Sequence, residues 1–330
     1  MPRQARLDVP GALHHIMVRG INKANIFDDT EDKARFLERL EENITEGKCS
    51  VYAWVLMDNH VHILLKSGKY GLSTVMRKQL TWYAQYYNRR HKRSGHLFEN
   101  RYKSILCDED NYLLALVRYI HLNPLRANIV KTIKELDRYP FCGHRTLIGK
   151  ASHSWMDADY VLLQFGSTRR KSLGAYRKFM QEGIGLGHQP ELTGGGLLRS
   201  LGGWSQVVAK RRLGKAEEGD GRILGSGDFV HAILKETEER ELRQLKLKRS
   251  GRTIQKIIDE ECRKAGISPM EVMNGVRRRA VSRLRAAIAS RGRTELGLSS
   301  AEMARHLGVA ASSISRLVET MGVKRGSSDK

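Results

Sequence analysis

The stretch SVYAWVLMDNHVHILLK, residues 50–66, decides the fold. Ser50 to Met57 are dominated by β-branched, aromatic and other apolar side chains and predict a strand. Asp58 and Asn59 are a turn pair, since both side chains satisfy local backbone groups. His60 to Lys66 then predict a second strand, and the two form a hairpin. Upstream, residues 13–21 (LHHIMVRGI) predict another strand. Residues 30–46 predict an amphipathic helix, with Thr30 as its expected N-cap, acidic residues in the first turn, and Leu37, Leu40 and Ile44 at helical spacing. Downstream, residues 71–92 predict a long helix. Residues 95–107 are extended or irregular, and residues 109–122 predict a helix that must end near Pro124, because a residue before proline avoids the α region. The order strand, helix, strand, strand, helix, short strand, helix predicts an α+β domain, a ferredoxin-like antiparallel sheet with helices on one face, ending near residue 150.

The hairpin also carries chemistry. On a strand, alternate side chains share a face, so His60 and His62 point the same way, about 7 Å apart along the backbone. Two neutral imidazoles so placed can share one metal ion; by themselves they are equally a pair of ordinary strand histidines. Tyr119 and Asn123, in VRYIHLNPLRAN, are four residues apart and share one helix face. A tyrosine hydroxyl could attack phosphorus, and the Asn123 amide oxygen could add a hard ligand to the two imidazoles. Such open, partly oxygen-rich coordination suits Mg²⁺ or Mn²⁺ better than a closed zinc site. A free tyrosine has a pKa near ~10, so nearby cationic charge would help it ionise. Taken alone, Tyr119 is one of 11 tyrosines, any of which could be a core or surface aromatic.

The chain has 330 residues, a length that suits two or three domains, and 40% hydrophobic residues, enough for packed cores. Its formal net charge is +22, which points to polyanionic partners. Residues 1–150 carry 25 Lys and Arg against 16 Asp and Glu, residues 151–239 carry 12 against 11, and residues 240–330 carry 21 against 9. Two basic ends flanking a neutral middle suggest two separate nucleic-acid surfaces. Cys49, Cys107, Cys142 and Cys262 form no CxxC pair, so a zinc finger or disulfide framework is not expected and a reducing cytoplasm is. No run of about 18 apolar residues occurs, so no membrane span is expected.

Around residues 89–103, Arg89, Arg90, Lys92, Arg93, Arg101 and Lys103 interleave with Tyr86, Tyr87, Phe98 and Tyr102. That mixture suits a single strand through phosphate contact and base stacking; it is equally a solvated basic face beside core aromatics. Residues 151–250 break into glycine-rich stretches such as TGGGLL and GDGRILGSG and read as an irregular connector with short helices, plus a charged helix over 228–247. Residues 251–330 read as all-helical, with helices near 253–264 and 278–291. LSSAEMARHLGVAASSISRLVETM, 298–321, has the shape of a helix-turn-helix, with Met303, Leu307, Val309, Ile314 and Leu317 as its apolar seam and Gly308 in the turn. Arg277, Arg278 and Arg279, and Ser312, Ser313 and Arg316 on the second helix of that motif, are the expected duplex contacts; a helical hairpin that only packs is the other reading.

Three motifs together, MDNHVHILL at 57–65, GHLFENRYKS at 95–104 and RYIHLNPLRA at 118–127, resemble the single-tyrosine HUH transposases of insertion sequences, above all their REP-associated branch. The resemblance covers about residues 1–150. It implies a transposase that cleaves and rejoins single-stranded DNA, often beside a hairpin, with Tyr119 forming a 5′-phosphotyrosine, His60 and His62 as the metal pair and Asn123 as the amide-bearing ligand. Residues 253–321 are similar to the duplex-DNA-binding domain of the replication initiator DnaA. They depart from it where Ala311, Ser312, Ser313 and Ile314 stand in place of an Asp-His-Thr-Thr stretch, so that family's target sequence is not implied. Two other readings stay open: a non-catalytic DNA-binding regulator that keeps the HUH fold, and a relaxase or replication-initiation nuclease. The order of motifs favours the transposase branch, whose relatives act as monomers or homodimers.

Overall fold

The computed structural model describes residues 6–68, 71–187, 189, 192, 220–276, 278–310, 313–314 and 316–317, with backbone only at 240 and 241. It divides into two compact units, Met1–His231 and Ala232–Lys330, the division falling inside the helix Gly227–Arg249.

The hairpin forms as its sequence requires. β2 (Ser50–Met57) and β3 (His60–Lys66) pair antiparallel, with Val55 opposite His62 and Met57 opposite His60. β1 (Leu13–Arg19) lies on the other side of β3, with Met17 opposite His62 and Arg19 opposite His60, and β4 (Lys103–Cys107) pairs antiparallel with β1. A fifth strand, β5 (Ile223–Leu224), then joins β4 in parallel, so the sheet order is β2-β3-β1-β4-β5 and the sheet is mixed rather than wholly antiparallel. Ile223 and Leu224 lie within GDGRILGSG, expected to be irregular; two residues carry no periodicity, and their pairing is set by Leu106 N donating to Arg222 O and Asp108 N donating to Leu224 O, each at 2.8 Å. At the opposite edge, Leu56 N donates to Phe141 O and Gly143 N to Trp54 O, while Asp157 N donates to Val51 O.

Three long helices complete the α+β layer. α1 (Thr30–Gly47) is capped one residue earlier than its threonine suggests: the Asp29 carboxylate accepts from Asp32 N at 2.9 Å. A carboxylate there both satisfies an orphan amide and opposes the helix dipole. α2 (Leu72–Arg90) packs on α1, with the buried rings of Phe27, Phe36 and Tyr83 at 5.0–5.4 Å and Asn43 donating to Gln79 at 2.9 Å. α3 (Glu109–His121) packs on β2 and β3. It ends just before the Asn123–Arg126 turn, where Pro124 sits at a position that needs no amide hydrogen.

Residues 158–163 and 169–182 are helical and belong to this first unit. The second of them grips α3: Arg118 lies over the Phe179 ring at 4.0 Å, and the wholly buried Tyr176 hydroxyl meets Nδ1 of His121 at 2.9 Å and Nδ1 of His144 at 2.8 Å. His144 Nε2 in turn lies 2.9 Å from Asp137 Oδ1.

In the second unit, helices Ile254–Ala265, Pro269–Met273, Arg279–Leu296 and Ser300–His306 surround a core of Ile257, Ile258, Val281, Ile288 and Met303. Met303, Leu307 and Ile314 of the expected seam are buried; Val309 and Leu317 are half-buried. Gly308 has φ +60°, and a Cβ there would stand 1.6 Å from Met273 O, so the turn admits only glycine. Residues 313–314 and 316–317 are helical.

Candidate active site

Strand alternation puts Val61 and Ile63 of β3 into the core, both wholly buried, and sets His60 and His62 on the other face. His60 and His62 ring centroids are 5.2 Å apart. α3 crosses that face and brings Tyr119, with its ring 6.0 Å from that of His62. Asn123 and Arg126 follow on the next turn. All five residues line one cleft of about 570 Å³, together with Arg19, Glu99, Asn100, Arg101 and Lys103. A second cleft of about 790 Å³ adjoins it in sequence through Glu99, Asn100 and Arg101 and is walled by Arg77 and Phe98.

The two imidazoles are held neutral. Burial pushes His62 well below its ordinary range, with the adjacent His15 and His60 adding to the effect; burial, aided by Arg19, pushes His60 down to about 4. Each also has its Nδ1 engaged: His60 with Asn59 Oδ1 at 2.6 Å, His62 with His15 Nε2 at 3.0 Å. An Nδ1 so occupied leaves the Nε2 lone pair for a ligand, which is how a metal-binding imidazole is usually oriented. The Asn123 amide is buried with its nitrogen unpartnered. Two neutral imidazole nitrogens and the carbonyl oxygen of the Asn123 amide are donor types that fit a divalent ion with open positions; the unpartnered amide nitrogen is not itself a ligand.

Arg126 was not anticipated as a site residue, nor were His15 and Arg19. Its Nη1 donates to Tyr119 O at 3.0 Å, and its guanidinium carbon stands 5.0 Å from the Tyr119 ring centroid. Its Nη2 is buried with no hydrogen-bond partner. Two sequence signals could have found these residues. His15, Met17 and Arg19 alternate on β1, so they share one face, and pairing with β3 makes it the face of His60 and His62. Arg126 follows Tyr119 at seven residues, two helical turns on.

The expected DNA contacts divide. Arg101 and Lys103 are exposed at the cleft, and Arg89 is exposed on α2. Arg90 is spent within the fold: its guanidinium pairs with Asp29 at 2.7 Å, Glu31 at 3.0 Å and Asp32 at 2.5 Å, pinning the end of α2 to the start of α1. Tyr87 and Tyr102 are buried, so their faces are core surfaces rather than stacking platforms; the Tyr102 ring already carries Arg6 at 3.9 Å. In the second unit Arg279 and Arg316 are exposed, Ser313 is half-buried, and the exposed Arg278 pairs with Glu271. Arg277 and Ser312 lie outside the described residues. Arg285, from the same basic run, is buried and donates to Glu271 O, Val272 O and Val276 O, so it braces two helices.

Among the described residues one other group has metal-ligand spacing, Asp28, Asp32 and His91, with ligand atoms within 4.8 Å. It shares no residue with the cleft. Its carboxylates already accept from Arg90 at Asp32 and from Tyr87 at Asp28, and His91 bonds Asp32 within the group.

Residues 9–123 match the family model described as transposase IS200-like. This segment contains His60, His62, Tyr119 and Asn123. The chain is also similar to a solved structure described as the REP-associated tyrosine transposase bound to a REP hairpin, at 14% identity and a TM-score of 0.38, over 47% of this chain and 96% of that one. No curated protein matches the chain. No helix among the described residues is long and apolar enough to cross a membrane.

Proposed function

We propose that this protein is a single-tyrosine DNA transposase that cuts and rejoins single-stranded DNA at the cleft holding Tyr119. One observation carries the reading. A tyrosine, two neutral imidazoles and a buried amide, from three elements of the fold, line one cleft whose charged residues are Arg19, Arg101, Lys103 and Arg126 against Glu99. The match of residues 9–123 to IS200-like transposases supports it.

The strand enters against the basic rim, where Arg101 and Lys103 meet its phosphates. Tyr119 gives its proton to water and its oxygen attacks the scissile phosphorus. The Tyr119 O–P bond forms and the P–O3′ bond breaks; the leaving electron pair stays on the 3′ oxygen, which takes up a proton. The product is a 5′-phosphotyrosine and a free 3′-OH, and the reverse attack by a 3′-OH joins a new strand. His60, His62 and Asn123 would hold one Mg²⁺ or Mn²⁺, which supplies Lewis-acid polarisation of the phosphate and offsets developing charge. His15 and Asn59 orient the two imidazoles for that role.

The second unit, with exposed Arg279 and Arg316, is the duplex-reading part that delivers the cutting unit to its site. Arg277 and Ser312 belong to the same proposed surface. The substrate is hairpin-bearing single-stranded DNA, and the protein acts as a monomer or homodimer in the cytoplasm.

The test is a covalent-adduct gel with labelled hairpin-bearing single-stranded DNA from beside the protein's own gene, comparing wild type with Tyr119→Phe, each with Mg²⁺ or EDTA. An adduct from wild type with metal alone is the expected result. An undiminished adduct from Tyr119→Phe names another nucleophile, and adduct in EDTA removes the metal. No adduct on any hairpin substrate refutes the enzyme in favour of a DNA-binding regulator that keeps this fold.

A further inference from the structure

We infer that Arg126 is a further catalytic residue, one whose guanidinium binds the non-bridging oxygens of the scissile phosphate. The inference rests on the cleft being the cutting site.

The geometry singles out this arginine from the other cations of the cleft. Arg101 and Lys103 stand exposed at the rim, where a charge is hydrated and screened and serves to guide a strand. Arg126 is half-buried, and its position is set from within: Nη1 is fixed on Tyr119 O, the carbonyl of the nucleophile's own residue, and the guanidinium lies over the Tyr119 ring. That holds a cation beside the nucleophile before the substrate arrives.

The unmade hydrogen bond says what the residue waits for. A guanidinium is always charged and offers five N–H donors. Nη1 has a partner, whereas Nη2 is buried without one, and among the described residues no carboxylate is ion-paired to Arg126. Leaving a buried charged donor unpaired costs a fold more than most polar defects do, so such a group needs a ligand to explain it. The burial that strips water from this guanidinium also pulls its pKa down, as expected of a cation held short of both solvent and counter-charge. An anion in the cleft beside Tyr119, met by a turn of the guanidinium that uncovers Nη2, would restore both. A phosphodiester is the anion that the cutting reaction brings there, and guanidinium geometry matches its paired oxygens. As the tyrosine oxygen attacks, negative charge grows on those oxygens, so the contact strengthens on the way to the transition state, which is what raises a rate rather than merely an affinity.

The experiment uses the full chain. The scissile phosphate is located from the wild-type adduct, and the same DNA is made with a neutral methylphosphonate at that one position. Arg126→Gln is expected to slow adduct formation on the ordinary phosphodiester by about 100-fold, the scale of losing one preorganised donor. On the methylphosphonate, which has no full charge for Arg126 to hold, the two proteins should differ by less than roughly 3-fold. Arg126→Lys, which keeps the charge but not the fork, should fall between them on the phosphodiester. Equal losses on both DNAs would make Arg126 a structural brace for α3 and overturn the inference, as would an unchanged rate on the phosphodiester. Absence of any wild-type adduct would refute the cutting site itself, and this inference with it.

Discussion

Tyr176→Phe removes one oxygen from the centre of a buried chain of four groups, and its cost can be worked from the bonds that oxygen makes. The Asp137 carboxylate, 2.9 Å from His144 Nε2, accepts a hydrogen bond from Nε2–H, which leaves Nδ1 of the neutral His144 as an acceptor. The Tyr176 hydroxyl therefore donates to His144 Nδ1 and accepts from His121 Nδ1–H. Phenylalanine fills the same volume but strands a donor on His121 and an acceptor on His144, both wholly buried. Each stranded group costs about 1–3 kcal/mol, so the variant should lose ~2–6 kcal/mol. For a unit of this size each kcal/mol shifts the melting temperature by about 2–4 °C, giving a fall of roughly 4–24 °C. The assay is thermal unfolding of the full chain followed by circular dichroism, with native-state hydrogen exchange to confirm that the weakened amides lie in α3 and residues 169–182. Because His121 is two residues past Tyr119, the adduct rate should fall as well. A melting temperature within about 2 °C of wild type would refute the reasoning, since it would mean that the buried nitrogens find other partners.

Three further outcomes follow from the same kind of accounting. His15→Phe keeps a ring beside His62 but removes the nitrogen that orients it, so Mn²⁺ affinity read by electron paramagnetic resonance should drop about 10-fold or more; unchanged affinity would mean that His62 is oriented by its packing alone. Gly308→Ala forces a left-handed backbone and a collision with Met273 O, and should destabilise the second unit by more than about 2 kcal/mol, seen as faster hydrogen exchange across 254–306 of the intact chain. Burial pushes the Asp137 carboxyl up, but His144, Lys150 and Arg177 outweigh it and hold it at about 2, below the ordinary 3.8. A carboxyl depressed on folding stabilises above its unfolded value and loses that contribution as the pH falls toward 2, so Asp137→Asn should flatten acid unfolding between pH 4 and 2; an unaltered acid profile would remove Asp137 from it.

The first unit shows what a sequence discloses and what it withholds. β2, β3 and α3 lie within a residue or two of where periodicity puts them, because in each the apolar pattern is long and agrees with its turn residues. The hairpin that defines the fold also carries His60 and His62, so strand alternation alone gave their common face. What was not legible depends on a distant partner. β5 is two residues whose strand character exists only beside β4. His15 matters because β1 lies next to β3, and Arg126 because α3 lies over that sheet face. Arg90 reads as a basic contact in sequence, yet three carboxylates 58–61 residues away consume its charge. Charge can be counted from sequence; whether it is still available to a partner is a tertiary property.

The edges of the sheet have a consequence for self-association. A row of unpaired amides and carbonyls invites another chain to continue the sheet, and proteins that leave one open risk aggregation. Here one border is a strand of two residues, Ile223 and Leu224, too short to nucleate a register. The other, along β2, is taken up at Trp54 and Leu56 by the 141–143 segment and at Val51 by Asp157. Among the described residues a folded, concentrated chain therefore offers its neighbours only short ladders to extend: one border is brief, and the other is partly taken up by backbone the protein supplies itself.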